Sequence, residues 1–277
     1  MKKLDRQVWA IQLAFVSFGV RIGIRLNDPV ILAQIMPCLP RGCKSLERAD
    51  VDRLYSIFVA KDRWRRNIQG LYLLFADMRN IARTQNVAIM LDAFESDVNA
   101  FIAQHARPWS FVHAGVVGWK GSAIVVPGRS FSGKTTLVSE FLRSGAEYFS
   151  DEFAAFDPDG DVHPFPRHLC VRQEAAQQRT RVTPEQLGGR LAKTAFPVKL
   201  VVITEYKKNA HWRPQTSSPG IGVLALLANS LSARRAPVRT LATFEHVVRQ
   251  SHVLTGERGE ASEAVGSVLE WLGERSK

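Results

Sequence analysis

Cysteine is scarce in this chain: Cys38, Cys43 and Cys170 are three residues in 277, an odd count too small to frame a disulfide scaffold. No apolar run approaches the roughly 18 residues of a membrane span, so no membrane partner is expected. Met1-Lys2-Lys3 looks like the opening of a secretory leader, but Asp5, Arg6 and Gln12 interrupt the apolar stretch that a leader needs. These absences together lead to the expectation of a reducing, cytoplasmic setting with inert thiols. Cys38 and Cys43 supply only two sulfurs with no histidine beside them, too few for a metal knuckle. Zinc-finger spacing, an RNP-type aromatic motif and a heptad zipper are also missing. The excess of 37 Lys and Arg over 26 Asp and Glu, a net charge of +11, therefore has no motif that would turn it into nucleic-acid recognition. Nucleic acid is not an expected partner, and the basic surface suits nucleotide phosphates or an acidic peptide as well as it suits plain solvent.

What is present is ordinary globular material, 45% apolar and 23% charged, enough for one large domain or two smaller ones. From Val16 to Arg25 every even position is apolar, which predicts a strand with one buried face. Asn27-Asp28-Pro29 then predicts a capped short helix running to Pro37. Leu54 to Ala60 and Leu71 to Ala76 read as buried strands flanking a basic loop with Lys61, Arg63, Arg65 and Arg66. Met90, Leu91, Phe94, Val98, Phe101 and Ile102 mark one face of a long helix over 86–104. Pro108 ends it, and Phe111 to Val117 and Ser122 to Val126 come next as two strands around Gly118 and Gly121. The expected boundary lies near residue 106, with an α+β region over 1–105 and a second domain over 106–277.

The chemistry concentrates at Gly128-Arg129-Ser130-Phe131-Ser132-Gly133-Lys134-Thr135, followed by Thr136, a match to GxxxxGK[ST]. Ala123-Ile124-Val125-Val126 enters this loop as a buried strand, and Leu137, Val138, Phe141 and Leu142 make one stripe on the helix leaving it, which stops at Gly145. Two glycines let backbone amides turn inward around a polyphosphate, and the helix N-terminus adds partial positive charge at the same point. Lys134 is expected on the β and γ phosphates, and Thr135 is expected to offer its hydroxyl to Mg²⁺.

Two acidic elements lie downstream. Asp151 and Glu152 are adjacent in Tyr148-Phe149-Ser150-Asp151-Glu152-Phe153, so from an extended backbone they point different ways and can divide their work. Glu205 closes the β-branched run beginning at Val198, either as a metal-site carboxylate or as a glutamate facing solvent. Asp157-Pro158-Asp159-Gly160-Asp161 has its glycine misplaced for a calcium loop and reads as a hairpin turn. Arg167 suits an oxyanion or a solvated loop equally.

Taken in order, Val112-His113-Ala114, GRSFSGKTT over 128–136 and Gly145 to Glu152 resemble the HPr kinase/phosphorylase superfamily, above all its divergent kinase-related branch. The resemblance covers about residues 106–277. It implies an α/β P-loop kinase domain, similar more remotely to PEP carboxykinase, that uses ATP and Mg²⁺ to phosphorylate a serine hydroxyl. It implies His113 beside the catalytic site, Asp151 as base toward the acceptor, Glu152 as the second acid and Glu205 as the strand-end glutamate near Mg²⁺. The family's second acid is usually aspartate, and its Glu-Ile-Arg-Gly stretch has no counterpart here, so phosphorolysis is not implied. The acceptor is a hydroxyl-bearing protein, peptide or small molecule, and assembly into a homo-oligomer fits the rings such enzymes form. Rival readings are a nucleotide-binding regulatory ATPase without phosphotransfer and a nucleic-acid-associated ATPase. The C-terminal apolar positions Leu224, Leu226, Leu227, Leu231, Val238, Leu241, Val247 and Val248 predict two helices that cover the nucleotide sheet or a subunit interface.

Overall fold

The segment expected as one strand from Val16 to Arg25 folds back on itself in the computed structural model, which describes residues 8–47, 50–60, 70–172 and 179–275. Phe18 and Gly19 take positive φ values of 49° and 78°, the signature of a tight two-residue hairpin. β1 (Ile11–Ser17) and β2 (Val20–Leu26) pair antiparallel with Ser17 opposite Val20 and Phe15 opposite Ile22. A two-residue turn couples odd positions to even ones. The buried face accordingly switches from Phe15 and Ser17 to Val20, Ile22 and Ile24, and unbroken even-position alternation hid the turn.

The chain divides into two units at Arg107 and Pro108. In the first, Asp28 accepts a hydrogen bond from the Val30 amide and opens a helical stretch in which α1 (Leu32–Ile35) is flanked by single 3₁₀ turns. β3 (Lys44–Leu46), β4 (Arg53–Ala60), β5 (Leu71–Ala76) and β6 (Arg79–Thr84) complete a six-stranded sheet in the order β3-β1-β2-β4-β5-β6. Only β2 and β4 run parallel. The basic cluster at 61–66 lies outside the described residues. α2 (Val87–His105) is capped by Asn86, whose side-chain oxygen accepts from the Ala88 amide at 2.9 Å. It buries Met90, Phe94, Val98 and Ile102, and the Phe94 ring meets Tyr55 edge-on at 5.3 Å. Asp97 on this helix accepts from the Tyr55 hydroxyl, Arg53 and Arg79, tying α2 to three positions of the sheet. Cys38 is buried, and burial raises the Cys43 thiol's pKa, so neither is primed as a nucleophile.

The second unit holds β7 (Ser110–Trp119), β8 (Ser122–Pro127), α3 (Lys134–Arg143), β9 (Glu147–Ser150), β10 (Phe153–Phe156) and β11 (Val162–His163). Next come β12 (Leu169–Arg172), β13 (Arg179–Val182), β14 (Arg190–Leu191), β15 (Val198–Tyr206), β16 (Gln215–Thr216), α4 (Pro219–Ala228), α5 (Pro237–Arg249), β17 (His252–Arg258) and α6 (Ala261–Arg275). The main sheet runs β11-β10-β7-β8-β15-β17-β16, with β9 branching from β7. At its centre β8, β15 and β17 are parallel, so all three deliver their carboxyl ends to one edge. The architecture is mixed α/β.

Both faces of this sheet are covered, which explains the near-continuous apolar runs of β8 and β15. Val112, Val125, Val201 and Val253 pack with Leu226 of α4 and Phe244, Val247 and Val248 of α5. On the other face Ile124, Val126, Leu200 and Val202 meet Leu137, Val138, Phe141 and Leu142 of α3 and Ala264, Val265 and Val268 of α6. α4 and α5 form, but α4 ends at Ala228, so Leu231 lies in the turn beyond it, and both helices bury less than the sequence promised. Leu224, Val238 and Leu241 stay exposed, because the sheet takes the opposite side of each helix. Asp157 makes the expected turn, accepting from the Asp159 and Asp161 amides and from His163 Nε2 at 2.7 Å. Among the described residues no helix is long and apolar enough to cross a membrane.

Candidate functional site

A strand, a glycine-bounded loop and a helix meet at the carboxyl edge of the parallel strands. β8 ends at Pro127, the loop spans 128–133, and α3 begins at Lys134 with Gly133 as its N-cap at φ 85°. That left-handed value suits glycine, and a Cβ on Gly133 would also strike the Arg258 guanidinium. A Cβ on Gly128 would meet Ser132 Oγ at 2.6 Å. Phe131, at φ 67° and 84% exposed, forms the tip of the loop. The helix ends as the sequence promised. The Ala146 amide donates to Phe141 O and the Gly145 amide to Leu142 O, the paired bonds of a Schellman cap around Gly145 at φ 91°.

That cap sends the chain directly into β9, which pairs with β7, and the chain then bends into β10, which also pairs with β7. Asp151 and Glu152 occupy the bend. Ser150 Oγ accepts from the Glu152 and Phe153 amides, fixing the turn so that the two carboxylates diverge. Asp151 points to the loop. Its Oδ2 accepts from the Thr135 hydroxyl at 2.8 Å and its Oδ1 accepts from the Tyr148 hydroxyl at 2.9 Å, with the residue only 7% exposed. Tyr148 is fully buried, and burial followed by the Asp151 charge raises its pKa, so it stays a neutral donor.

Lys134 is also 7% exposed, and its ammonium donates to Arg129 O at 2.7 Å across the loop. Burial lowers its pKa and the Asp151 charge partly restores it. His113 on β7 is tied to the loop through its backbone, since the Gly128 amide donates to His113 O at 3.1 Å. Its ring packs against Phe153 at 4.7 Å, and its buried Nδ1 has no hydrogen-bond partner among the described residues. Burial first, and the Lys134 charge second, lower its pKa.

The sign of that shift gives a test. The folded state resists protonating His113, so the unfolded chain takes up the proton first as pH falls through the ordinary value of 6.5. Its contribution is fully present above 6.5 and is lost as pH falls from there toward the lower folded value. Melting temperatures measured between about pH 7 and pH 5 should therefore fall less steeply for His113→Gln than for the wild type.

The structure thus joins the loop, Lys134, Thr135, Asp151 and His113 by direct contacts or charge. Two sequence candidates make no bond to the loop. Glu152 is ion-paired with Arg167, which in turn adjoins Tyr148. Glu205 is exposed at the end of β15, shares by alternation the face of Ile203 that α4 and α5 cover, and its carboxylate makes no hydrogen bond or ion pair among the described residues. Sequence reasoning did not single out Tyr148, the Arg167 partnership or Arg258. Arg258 sits at the carboxyl end of β17, 2% exposed, and its guanidinium donates to Ser132 O and Gly133 O. A signal for it existed. Two helices after a buried strand imply a crossover into another parallel strand, and the end of that strand must arrive beside the loop.

No model of a protein family matches this chain, and no curated protein matches it.

The donor chemistry suits a hard cation. The Thr135 hydroxyl and the Asp151 carboxylate are oxygen donors lying against each other at the start of α3. Among the described residues no group of three or more His, Cys, Asp or Glu could hold a metal by itself. A hydroxyl whose proton is held by a carboxylate presents its lone pairs outward, and with phosphate oxygens and water it can complete the oxygen shell that Mg²⁺ prefers.

Proposed function

We propose that this protein is an ATP-dependent phosphotransferase with a P-loop kinase fold, similar to HPr kinase, that moves the γ-phosphoryl group of ATP to a serine hydroxyl. The observation that carries this reading is the bond between Thr135 and Asp151 at the mouth of the Gly128–Thr135 loop. It brings a carboxylate to the point where the motif would hold the end of a triphosphate.

The loop amides and the N-terminus of α3 bind the phosphate chain, and Lys134 leaves Arg129 O to neutralise the β and γ oxygens. Its buried position makes that charge effective, because little water competes for it. The Thr135 hydroxyl, its proton held by Asp151, would turn its lone pairs to Mg²⁺, which screens phosphate charge when bound. Asp151 accepts the proton of the acceptor hydroxyl while the new oxygen–phosphorus bond forms and the bond to the β-phosphate oxygen breaks, releasing ADP. Tyr148 keeps the carboxylate aimed. His113, neutral at physiological pH, lines the loop without adding charge that would displace Lys134.

The test is direct. Purified protein incubated with γ-labelled ATP, Mg²⁺ and serine-containing acidic peptides should yield labelled phosphoserine, detected by mass spectrometry. Release of inorganic phosphate with no labelled acceptor across protein, peptide and small-molecule hydroxyls would replace this reading by that of a regulatory ATPase.

A further inference from the structure

We propose that Arg258 is a positioning residue that sets the direction of the phosphate-loop amides from behind, an assignment that rests on the nucleotide-binding reading above. In a planar peptide the carbonyl of one residue and the N–H of the next point in opposite directions. Arg258 Nη2 donates to Ser132 O at 3.4 Å and to Gly133 O at 3.3 Å. Holding those two carbonyls toward the guanidinium turns the N–H groups of Gly133 and Lys134 away from it. These amides begin α3, and inward-pointing amides are what an anion-binding nest requires.

The anchoring of Arg258 supports this role. Its carbonyl accepts from the Lys207 amide at 2.9 Å, and its Nη1 donates to Gly259 O at 3.3 Å. The guanidinium lies 5.6 Å from the centre of the Tyr206 ring, and Tyr206 is its register partner on β15. One central strand thus fixes where the fork stands while its other nitrogen engages the loop. Gly133 has no side chain to obstruct this approach. Arg258 is also a nearly fully buried cation with no carboxylate in ion-pair contact and with an unpartnered Nε among the described residues. A polyphosphate bound on the far side of the loop would supply compensating negative charge across the peptide planes.

The experiment titrates inorganic tripolyphosphate, then MgATP, into wild type, Arg258→Lys and Arg258→Met by calorimetry. Backbone amide shifts of Gly133 and Lys134 are recorded in the same samples. Arg258→Met should lose about tenfold or more in tripolyphosphate affinity, by analogy with removal of an oriented donor, and should move both amide resonances in the ligand-free protein. Arg258→Lys, which keeps the charge but not the planar fork, should lose less. Both variants binding within twofold of wild type with unmoved amides would overturn the assignment, and if Arg258→Met does not fold, Arg258→Lys decides by the same criterion. A wild-type protein that binds neither ligand would overturn the nucleotide reading itself, and this assignment with it.

Discussion

Lys134→Met is expected to weaken MgATP binding by about a hundredfold or more, close to 2.8 kcal/mol, and to abolish phosphotransfer. Lys134 is 7% exposed and its ammonium donates to Arg129 O, so the ligand-free protein holds it ready inside the loop. Lys134 carries its charge at a cost that Asp151 offsets only in part, as its lowered pKa reflects. Methionine keeps most of the apolar stem, one atom shorter, without the charge, so the ligand-free variant should melt at or above the wild-type temperature. Stability kept or raised while affinity collapses separates a binding role from a folding role, and isothermal titration beside thermal melts reads both. Parallel loss of stability and affinity would make Lys134 a packing residue.

Asp151→Asn is expected to lower kcat by about 10²- to 10⁴-fold while changing KM for ATP far less. Asparagine keeps the shape and can still accept from Thr135, but it cannot take a proton from the acceptor. The contrast with Lys134 is the informative part: one substitution acts on affinity and the other on the chemical step. Single-turnover transfer from labelled ATP distinguishes them, and unchanged transfer by Asp151→Asn would remove this carboxylate from proton transfer. Glu152→Gln should cost far less than Asp151→Asn. Its carboxylate is ion-paired with Arg167, and the Thr135 hydroxyl donates to Asp151 instead.

Much of this architecture is written in local pattern. Leu137, Val138, Phe141 and Leu142 share a face at helical spacing, and Gly145 allows the left-handed cap, so α3 and its end are legible without coordinates. Asn86 and Asp28 announce helix starts for the same reason: short polar side chains satisfy first-turn amides. The turn at Phe18 and Gly19 was hidden because a two-residue hairpin leaves the alternation of the sequence intact while reversing which parity is buried. β17 was missed as well. Its apolar pair Val253 and Leu254 is brief, and the rest of the strand, Thr255, Gly256, Glu257 and Arg258, carries no hydrophobic pattern.

The site divides along the same line. The loop and α3 are contiguous in sequence, so residue spacing alone suggests their geometry. The contact of Thr135 with Asp151 crosses 16 residues and depends on a Schellman cap leading straight into a strand that borders β7. Spacing hints at this but does not aim the carboxylate. The resemblance assigns Asp151 and Glu152 different roles, and the Ser150 turn gives the physical means of separating them, sending one acid toward the loop and the other to Arg167. Arg258 lies 126 residues from Ser132 and reaches it only because β8, β15 and β17 end at one edge. Long-range register of this kind has no local signature.

The proposed activity depends on the Gly128–Thr135 loop taking a triphosphate with Mg²⁺. Calorimetric titration of the wild-type protein with MgATP tests that claim most directly. The expected result is saturable binding at one site per chain, lost in Lys134→Met, with ADP bound more weakly and AMP hardly at all. Equal affinity for ATP and AMP, or the absence of heat beyond dilution, would contradict it.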